Sequence, residues 1–283
     1  MIKSIVSALD GSQESIAGLK RAVTLAEGLN AELRGIYVES QYRFTYFPTY
    51  SESEGKVPRP IPLPQEKLEE AENKARIEEE AVRAQFKKIT GAHGIKANLR
   101  VVKGRINETL IREAQSADMI VIGNRGRDGG PLVEGPGPTT ETVIHESLRP
   151  VLVVPAGDGY DGPVLLAFDS SRSVQRVLVP GLELIASMSK PLRVLTVKDD
   201  LAQAEEIQNT LRQYLSPHEV ATEYITEMGE KKAAEKILAY VEHYKSSLLL
   251  MGAYNLSPVK EFFFGSITRK VLSRSPCPVL MMT

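Results

Sequence analysis

The closing segment of the chain, LLLMGAYNLSPVKEFFFGSITRKVLSRSPCPVLMMT at residues 248–283, carries the pattern that decides the fold. Two apolar runs of strand length, LLLM and VLMM, flank a stretch of small and polar residues. Gly252 can turn the chain where the first run ends, and Gly265 and Ser266 mark the expected start of a helix. A buried strand, a glycine turn, a helix and a second buried strand are typical of α/β proteins.

The same series of motifs occurs twice in the chain. Each copy begins with an apolar strand that ends in an Asp followed by small hydroxyl residues, and each ends with a Pro-Val-Leu strand. The clearest matched pairs are IVSALDGSQES with VLLAFDSSRSV, DMIVIGNRG with SLLLMGAYN, and SLRPVLVVP with RSPCPVLMM. Because the order is conserved within the chain, we interpret the sequence as an internal duplication.

Each copy alternates short apolar strands with longer amphipathic segments. The strands are rich in β-branched residues and apolar on both faces, which is typical of parallel strands covered by helices. We therefore predict an α/β fold with two tandem, open, five-stranded parallel sheets that carry helices on both faces, Rossmann-like, with about four helices in each half. The stretch AGDGYDG has linker composition and separates a domain at 1–156 from a domain at 162–283.

Composition excludes several classes of function. The chain has 35 basic and 36 acidic residues, a net charge of −1, which argues against binding to nucleic acid or to an anionic membrane. No apolar run approaches the roughly 20 residues that span a bilayer, and the N-terminus does not resemble a signal peptide. The single cysteine, Cys277, lies beside a buried strand, where an inert apolar role is expected. These features predict a soluble, cytoplasmic protein.

The two halves differ most after their second strands. The first half carries a Pro- and Tyr-containing segment at 41–67, read as a long irregular loop, before a charged helix at 68–89. Phe44, Tyr46 and Phe47 could pack this loop on the other half, or the loop could form a lid over a site; both alternatives stay open. The charged helix is expected to present a solvated face with i,i+4 ion pairs.

The glycine segment after the penultimate strand of each half suits an anion. Ligands of open α/β sheets bind outside the carboxyl ends of the strands, where the strand order reverses. Gly252 and Asn255 can adopt positive φ, and a helix that begins at Gly265 and Ser266 exposes backbone N–H groups to a phosphate. Ser266 could cap this helix or donate its hydroxyl to a phosphate oxygen. The alternative is that the glycines only turn the chain and Ser266 only caps the helix.

The spacing Gly-x2-Gly-x9-Gly-Ser/Thr, closed by a Pro-x-Pro-Val-Leu strand, resembles the nucleotide-binding universal stress proteins, and the resemblance covers both halves. It implies an adenine nucleotide alpha hydrolase-like fold and ATP as the ligand, with the presence of Mg²⁺ left open. It also implies that an Asp after the first strand and the end of the second strand hold the adenosine, while the glycine segment surrounds ribose and phosphates. Terminal strands of that family pair across a dimer, so we expect the two halves to form an intrachain pseudo-dimer, with a homodimer of the chain left open.

The resemblance assigns a nucleotide site to the second half. The residues carried over are Ala167, Asp169, Val197, Gly252, Asn255, Gly265, Ser266 and Ile267. Asn255 stands where the middle glycine is expected, and it must adopt a glycine-like conformation for the site to form.

The resemblance assigns a second, less well preserved site to the first half. The residues carried over are Ala8, Asp10, Val38, Gly123, Gly126, Gly137 and Thr139. Counting back from Pro150, which aligns with Pro278, makes Gly137 the counterpart of Gly265. Residues 127–136 then exceed the family spacing by one, and Pro138 replaces the hydroxyl residue. Arg125 and Arg127 could face phosphates or solvent.

The sequence contains no constellation that points to strong catalysis. The four histidines are scattered, no metal-ligand spacing and no Walker-type loop is present, and Asp10 and Asp169 could equally cap turns. We assign no catalytic residue and no metal ligand, and expect at most weak ATPase activity. The leading hypothesis is an ATP-binding stress-response regulator that acts through nucleotide-dependent conformation or partner binding. The alternatives are a nucleotide-free interaction module that uses its terminal strands, or a slow ATP hydrolase.

Overall fold

The structure of the chain is a computed structural model. It describes residues 1–39, 44–51, 55–62, 64–127, 135–253 and 265–283, with 44–51 and 55–62 described as backbone strands. The predicted glycine substitute Asn255 lies outside the described residues, and so do the side chains of Phe44, Tyr46 and Phe47.

The first half contributes seven strands and four helices among the described residues. Its strands are β1 (Ser4–Leu9), β2 (Glu32–Glu39), β3 (Phe44–Ser51), β4 (Gly55–Pro62), β5 (Ala97–Lys103), β6 (Met119–Gly123) and β7 (Val151–Val154). Its helices are α1 (Gln13–Leu29), α2 (Gln65–Thr90), α3 (Ile106–Gln115) and α4 (Pro138–Glu146). Strands β3 and β4 pair with each other as an antiparallel hairpin. The prediction of an irregular loop at 41–67 was therefore wrong.

The second half is shorter and repeats the same order. Its strands are β8 (Val164–Ala167), β9 (Leu192–Val197), β10 (Thr222–Glu227), β11 (Leu248–Gly252) and β12 (Val279–Met282). Its helices are α5 (Arg172–Met188), α6 (Leu201–Leu215), α7 (Ala233–Tyr244) and α8 (Ser266–Arg274). Leaving the hairpin aside, the described part of each half thus holds five strands and four α-helices, as the sequence predicts.

The ten remaining strands form one continuous sheet in the order β10-β9-β8-β11-β12-β7-β6-β1-β2-β5. Neighbouring strands within each half are parallel. The halves meet where β12 pairs antiparallel with β7, with Leu280 opposite Leu152 and Val279 opposite Val153. This pairing confirms the predicted intrachain pseudo-dimer.

Helices cover both faces of the sheet, as expected for parallel strands that are apolar on both sides. Leu19 of α1 and Leu184 of α5 belong to the hydrophobic cluster on one face, together with side chains from α2 and α6. Ile144 of α4 and Val271 of α8 belong to the cluster on the other face, together with side chains from α3 and α7. Two buried layers therefore run the length of the duplicated sheet.

The strand order places a crevice at the same point in each half. The order reverses between β1 and β6 in the first half and between β8 and β11 in the second half. Helices α1 and α5 begin at this edge, and their N-cap residues Ser12 and Ser171 accept hydrogen bonds from the N–H groups of Ser15 and Val174. The carboxyl ends of β1 and β8, with the Asp residues that follow them, consequently open onto the reversal point that the sequence predicts for ligand binding.

Candidate functional site

A cavity of about 540 Å³ opens at the carboxyl ends of β1, β2 and β6 in the first half. Six of the seven residues predicted for this half line it: Ala8, Asp10, Val38, Gly123, Gly126 and Thr139. The seventh, Gly137, is the N-cap of helix α4, whose first residues also line the cavity. The structure thus brings together residues that the sequence separates by more than a hundred positions.

Asp10 is fixed at the mouth of the β1–α1 turn. Its carboxylate accepts hydrogen bonds from the backbone N–H of Ser12 at 2.9 Å and from the backbone N–H of Arg127 at 2.7 Å. Burial is the largest influence on Asp10 and favours the neutral acid, but hydrogen bonds from Ser12, Arg127 and Ser15 together lower its pKa. Asp10 therefore presents an ionised carboxylate that ties the first turn to the glycine segment.

Two glycines of the first-half segment are required by the packing of the chain. Gly126 has a φ of +70°, and a Cβ at this position would lie 2.8 Å from Asp10 Oδ2. A Cβ at Gly123 would lie 2.8 Å from the Cβ of Glu14 and 3.0 Å from the backbone N of Ser15. Glycine at these two positions lets the segment and helix α1 approach each other closely.

Helix α4 offers few donors to an anion. Its N-cap, Gly137, uses its N–H to donate to the carbonyl oxygen of Asn124 at 2.8 Å. Pro138 has no N–H, and the hydroxyl of Thr140 donates to the carbonyl oxygen of Gly123 at 2.8 Å. The N–H groups of Thr139 and Thr140 are the ones that a first helical turn leaves to a ligand.

The second half repeats this geometry around Asp169. Its carboxylate accepts a hydrogen bond from the backbone N–H of Ser171 at 2.9 Å, so it caps the β8–α5 turn as Asp10 caps the β1–α1 turn. Gly252 ends β11 beside the start of α5. Of the other predicted residues, Ala167 ends β8, Val197 ends β9, and Gly265, Ser266 and Ile267 begin α8.

Two sequence-based interpretations of this segment were wrong. Gly252 does not adopt positive φ; a Cβ there would lie 2.3 Å from Ser173 Oγ and 2.9 Å from the backbone N of Val174, so glycine serves close packing. Ser266 does not cap helix α8, because the N-cap is Gly265 and Ser266 is the first helical residue. The hydroxyl of Ser266 is therefore not used as a cap.

The helix starts of the two halves differ in donor number. The first turn of α8 presents the N–H groups of Ser266, Ile267 and Thr268, and Arg269 is the first residue whose N–H returns to the Gly265 carbonyl, at 3.1 Å. Helix α4 presents one N–H fewer because a proline occupies its first position. Counted by sequence position, the start of α8 therefore has one more backbone N–H group than the start of α4.

Other groups named from the sequence lie away from these sites. Cys277 is fully buried, and burial raises the pKa of its thiol to about 11, in agreement with an inert role. His145 and His243 lie exposed on α4 and α7. Within the described ranges, no three His, Cys, Asp or Glu side chains are grouped to hold a metal ion, and no helix is long and apolar enough to cross a bilayer.

Comparison with known proteins identifies the family. The model of the universal stress protein family matches residues 1–155 and again residues 162–283. The chain belongs to the universal stress protein family. Because the two matches follow each other and account for nearly the whole chain, it is a tandem universal stress protein.

Relatives agree with this assignment. A universal stress protein of Synechocystis is 32% identical over 167 residues, which are 58% of this chain and 57% of that protein, so the chain spans little more than half the relative's length. A universal stress protein of Methanocaldococcus jannaschii is 30% identical over 54% of this chain and 82% of its own. The crystal structure of a universal stress protein from Archaeoglobus fulgidus superimposes with a TM-score of 0.75 at 19% identity, covering 99% of this chain and 98% of that one.

Sequence reasoning missed one wall of the first-half cavity in this universal stress protein. Helix α2 was expected to be a solvated face, and its ion pairs Arg76–Glu80 and Arg83–Glu79 do lie on the surface. Its other face, however, lines the cavity through Leu68, Ala71, Glu72, Lys74, Ala75 and Glu78. The signal was a stripe of apolar residues at helical spacing that continues to Val82 and Phe86, which are buried.

Sequence reasoning also missed a polar contact between the halves. Asn124 follows Gly123 in the glycine segment, and its side chain is buried where the halves meet. Its Nδ2 donates to the carbonyl oxygen of Leu272 in helix α8 at 2.7 Å. Nearby, Arg269 of α8 pairs with Glu141 of α4 at 3.3 Å. The helices that follow the two glycine segments are thus joined directly.

Proposed function

We propose that this tandem universal stress protein binds adenine nucleotides, ATP with Mg²⁺ foremost, at the carboxyl edge of its sheet, and that binding biases its conformation or its choice of partner. The observation that carries the proposal is the first-half cavity of about 540 Å³, which sets an ionised Asp10 beside a glycine segment and a helix N-terminus. Because the sheet is duplicated, the same edge recurs in the second half.

The chemistry of the lining fits a nucleoside with an anionic tail. Apolar atoms of Ile36, Val38 and Ile106 offer a surface for a base, and Asp10 can accept a hydrogen bond from a ribose hydroxyl. The N–H groups at the starts of α4 and α8 suit phosphate oxygens. In the second half we assign the adenosine end to Asp169 and Val197, and the phosphates to the start of α8.

We propose regulation by binding rather than rapid catalysis. A carboxylate whose pKa is lowered, such as that of Asp10, is a weak base, so it suits hydrogen bonding or Mg²⁺ better than activation of a water molecule. Slow hydrolysis of bound ATP is the lesser proposal. The terminal strands β7 and β12 pair with each other, which disfavours an interaction module that would use them as free edges. A cytoplasmic location and a homodimer remain part of the proposal.

Isothermal titration with ATP and Mg²⁺ tests the proposal on protein freed of nucleotide, and native mass spectrometry of the protein as purified tests for bound ligand. We expect binding at one or two sites per chain. The variant G265D separates binding from folding, because no described atom lies within 4 Å of a Cβ at Gly265 and Asp is a favourable N-cap. A carboxylate there should weaken binding at the second-half site by more than about tenfold while leaving thermal stability intact.

The matched control is G94D, since no described atom lies within 4 Å of a Cβ at Gly94 either, and Gly94 lies before β5, at the opposite edge of the sheet. G94D should bind ATP as the unaltered chain does. Absence of both heat and added mass in the unaltered protein would remove the proposal. Equal binding by G265D and G94D would remove the second-half site alone.

A further inference from the structure

One ion pair at the rim of the first-half cavity joins the glycine segment to the helix that covers it. Arg127 Nη1 lies 2.5 Å from Glu78 Oε1 of helix α2, and both residues line the cavity. Their side chains keep 41% and 26% of their surface exposed, so a ligand or water can reach the pair.

The position of Arg127 is fixed by the backbone around it. Its N–H donates to Asp10 Oδ2 at 2.7 Å, which anchors the residue beside the first turn. Its guanidinium extends over Gly11, where a Cβ would lie 2.7 Å from Nη2, and Gly11 has a φ of +79°. Glycine at position 11 therefore leaves the space through which Arg127 reaches α2.

The charge of Glu78 is felt inside the cavity. Tyr37 is buried near the carboxyl end of β2 and lines the same cavity. Its pKa is raised first by burial and next by the Glu78 carboxylate, while Arg127 acts in the opposite direction. The carboxylate of Glu78 is therefore close enough to the cavity to interact with a charged ligand bound there.

The pair is a property of the first half. The repeat aligns Arg127 with Leu256, an apolar residue. Helix α2 has 26 residues, whereas the corresponding helix α6 has 15. The first-half site therefore differs from its repeat in having a longer covering helix and an arginine that pairs with it.

We propose that Glu78 and Arg127 form a charge latch on the first-half site that only a phosphate-bearing ligand opens, because a phosphate group displaces Glu78 from Arg127. This inference rests on the proposed function of that site. Arg binds a carboxylate and a phosphate through the same fork of N–H donors. A nucleotide phosphate therefore competes with Glu78, whereas an uncharged nucleoside leaves the latch closed.

The test uses the full chain carrying G265D, so that heats report the first-half site. In that background E78Q is compared with E80Q, a matched variant on the solvent side of the same helix, where Glu80 pairs with Arg76. Titration with ATP should give an affinity about fivefold higher for E78Q than for E80Q, the factor expected for one partly exposed ion pair. Titration with adenosine should give equal affinities, and R127Q should lose affinity for ATP alone.

A charge swap, E78R with R127E, separates docking of α2 from recognition of phosphate. Hydrogen exchange of α2 in the absence of ligand should rise in E78Q and R127Q and return to the parent level in the swap, whereas the swap should not recover ATP binding. Equal ATP affinities of E78Q and E80Q would overturn the latch, as would equal gains for ATP and adenosine. If the parent binds no ATP, the proposed function fails for this half; the latch then stands only if E78Q binds ATP, and is overturned if it does not.

Discussion

Gly137 and Gly265 hold the same place in the two repeats, as N-caps of nine-residue helices with nearly the same backbone angles. The described atoms around them differ. A Cβ at Gly137 would lie 2.3 Å from the carbonyl oxygen of Arg125, whereas no described heavy atom lies within 4 Å of a Cβ at Gly265. The first glycine is needed for the chain to close on itself, whereas the described residues give no packing reason for the second.

The residues that follow Gly123 and Gly252 also differ between the two halves. Asn124 donates its side-chain amide across the seam to Leu272, while its counterpart in the repeat, Ala253, is buried and apolar. At this pair of positions the two halves therefore correspond in sequence order but differ in the side chain that meets the seam. The first-half glycine segment thus contacts the other half through Asn124, and the helix that follows it has a proline where α8 has Ser266.

The largest difference in stability is expected between the alanine variants of the two N-cap glycines. G137A should lower the free energy of unfolding by about 3 kcal/mol, because its methyl group meets a backbone oxygen that cannot move without the glycine segment. G265A should change that free energy by less than about 0.5 kcal/mol, since no described atom lies within 4 Å of a Cβ there and the backbone has no positive φ to strain. Urea denaturation of both variants, followed by circular dichroism, measures the difference. Similar losses in the two variants would show that Gly265 also has a packing role.

A smaller loss is expected at the seam. N124A should destabilise the chain by about 2 kcal/mol, because it leaves the buried carbonyl oxygen of Leu272 without its donor. The control is N107A: Asn107 makes one partly buried side-chain hydrogen bond, to Thr142 at 3.4 Å, and its removal should cost less than about 0.5 kcal/mol. Equal stabilities of N124A and N107A would contradict the assignment of the Asn124 amide as a link between the halves.

Much of the architecture follows from periodicity and repetition. Counting back from Pro150 to pair Gly137 with Gly265 was correct, because both residues are N-caps of helices that begin at the next residue. The sheet edge that collects Asp10 and the glycine segment was also predictable, since parallel strands place their carboxyl ends together. The hairpin of β3 and β4 was not predictable in this way. Prolines such as Pro48 and Pro58 lack the N–H group that pairs neighbouring strands, so they indicate a loop.

Side-chain roles were harder to predict for a physical reason. Glycine serves both positive φ and close approach, and the sequence does not distinguish the two, so Gly252 was given the wrong one. The apolar stripe of α2 indicates that one face is buried, but it does not name the surface that covers it. The contact of Glu78 with Arg127 depends on that docking, and therefore lies beyond what spacing along the chain can show.

The smallest of the three stability effects is expected at the paired aspartates. Asp10 accepts backbone hydrogen bonds from Ser12 and Arg127, and among the described residues Ser171 donates one to Asp169. D10N should cost about 1.5 kcal/mol at pH 7, because an amide accepts these bonds less strongly than a carboxylate and brings an N–H₂ that faces other donors. From the donors among the described residues, D169N should cost about half as much. Urea denaturation at pH 7 compares them.

Measuring stability at low pH distinguishes the effect of the charge of Asp10 from the effect of its side-chain shape. The folded-state pKa of Asp10 is lowered from 3.8, so the ionised form contributes stability at every pH above the unfolded value, and that contribution is lost as pH falls below about 4 and through the folded pKa. The stability gap between the unaltered chain and D10N should therefore be constant from pH 7 to about 5 and narrow below pH 4. A gap that stays constant to pH 3 would mean that Asn disturbs the turn by its shape, and that the bond from Arg127 does not depend on a charged acceptor. That result would also show that the position of Arg127, the latch residue whose N–H donates to Asp10, does not depend on the charge of Asp10.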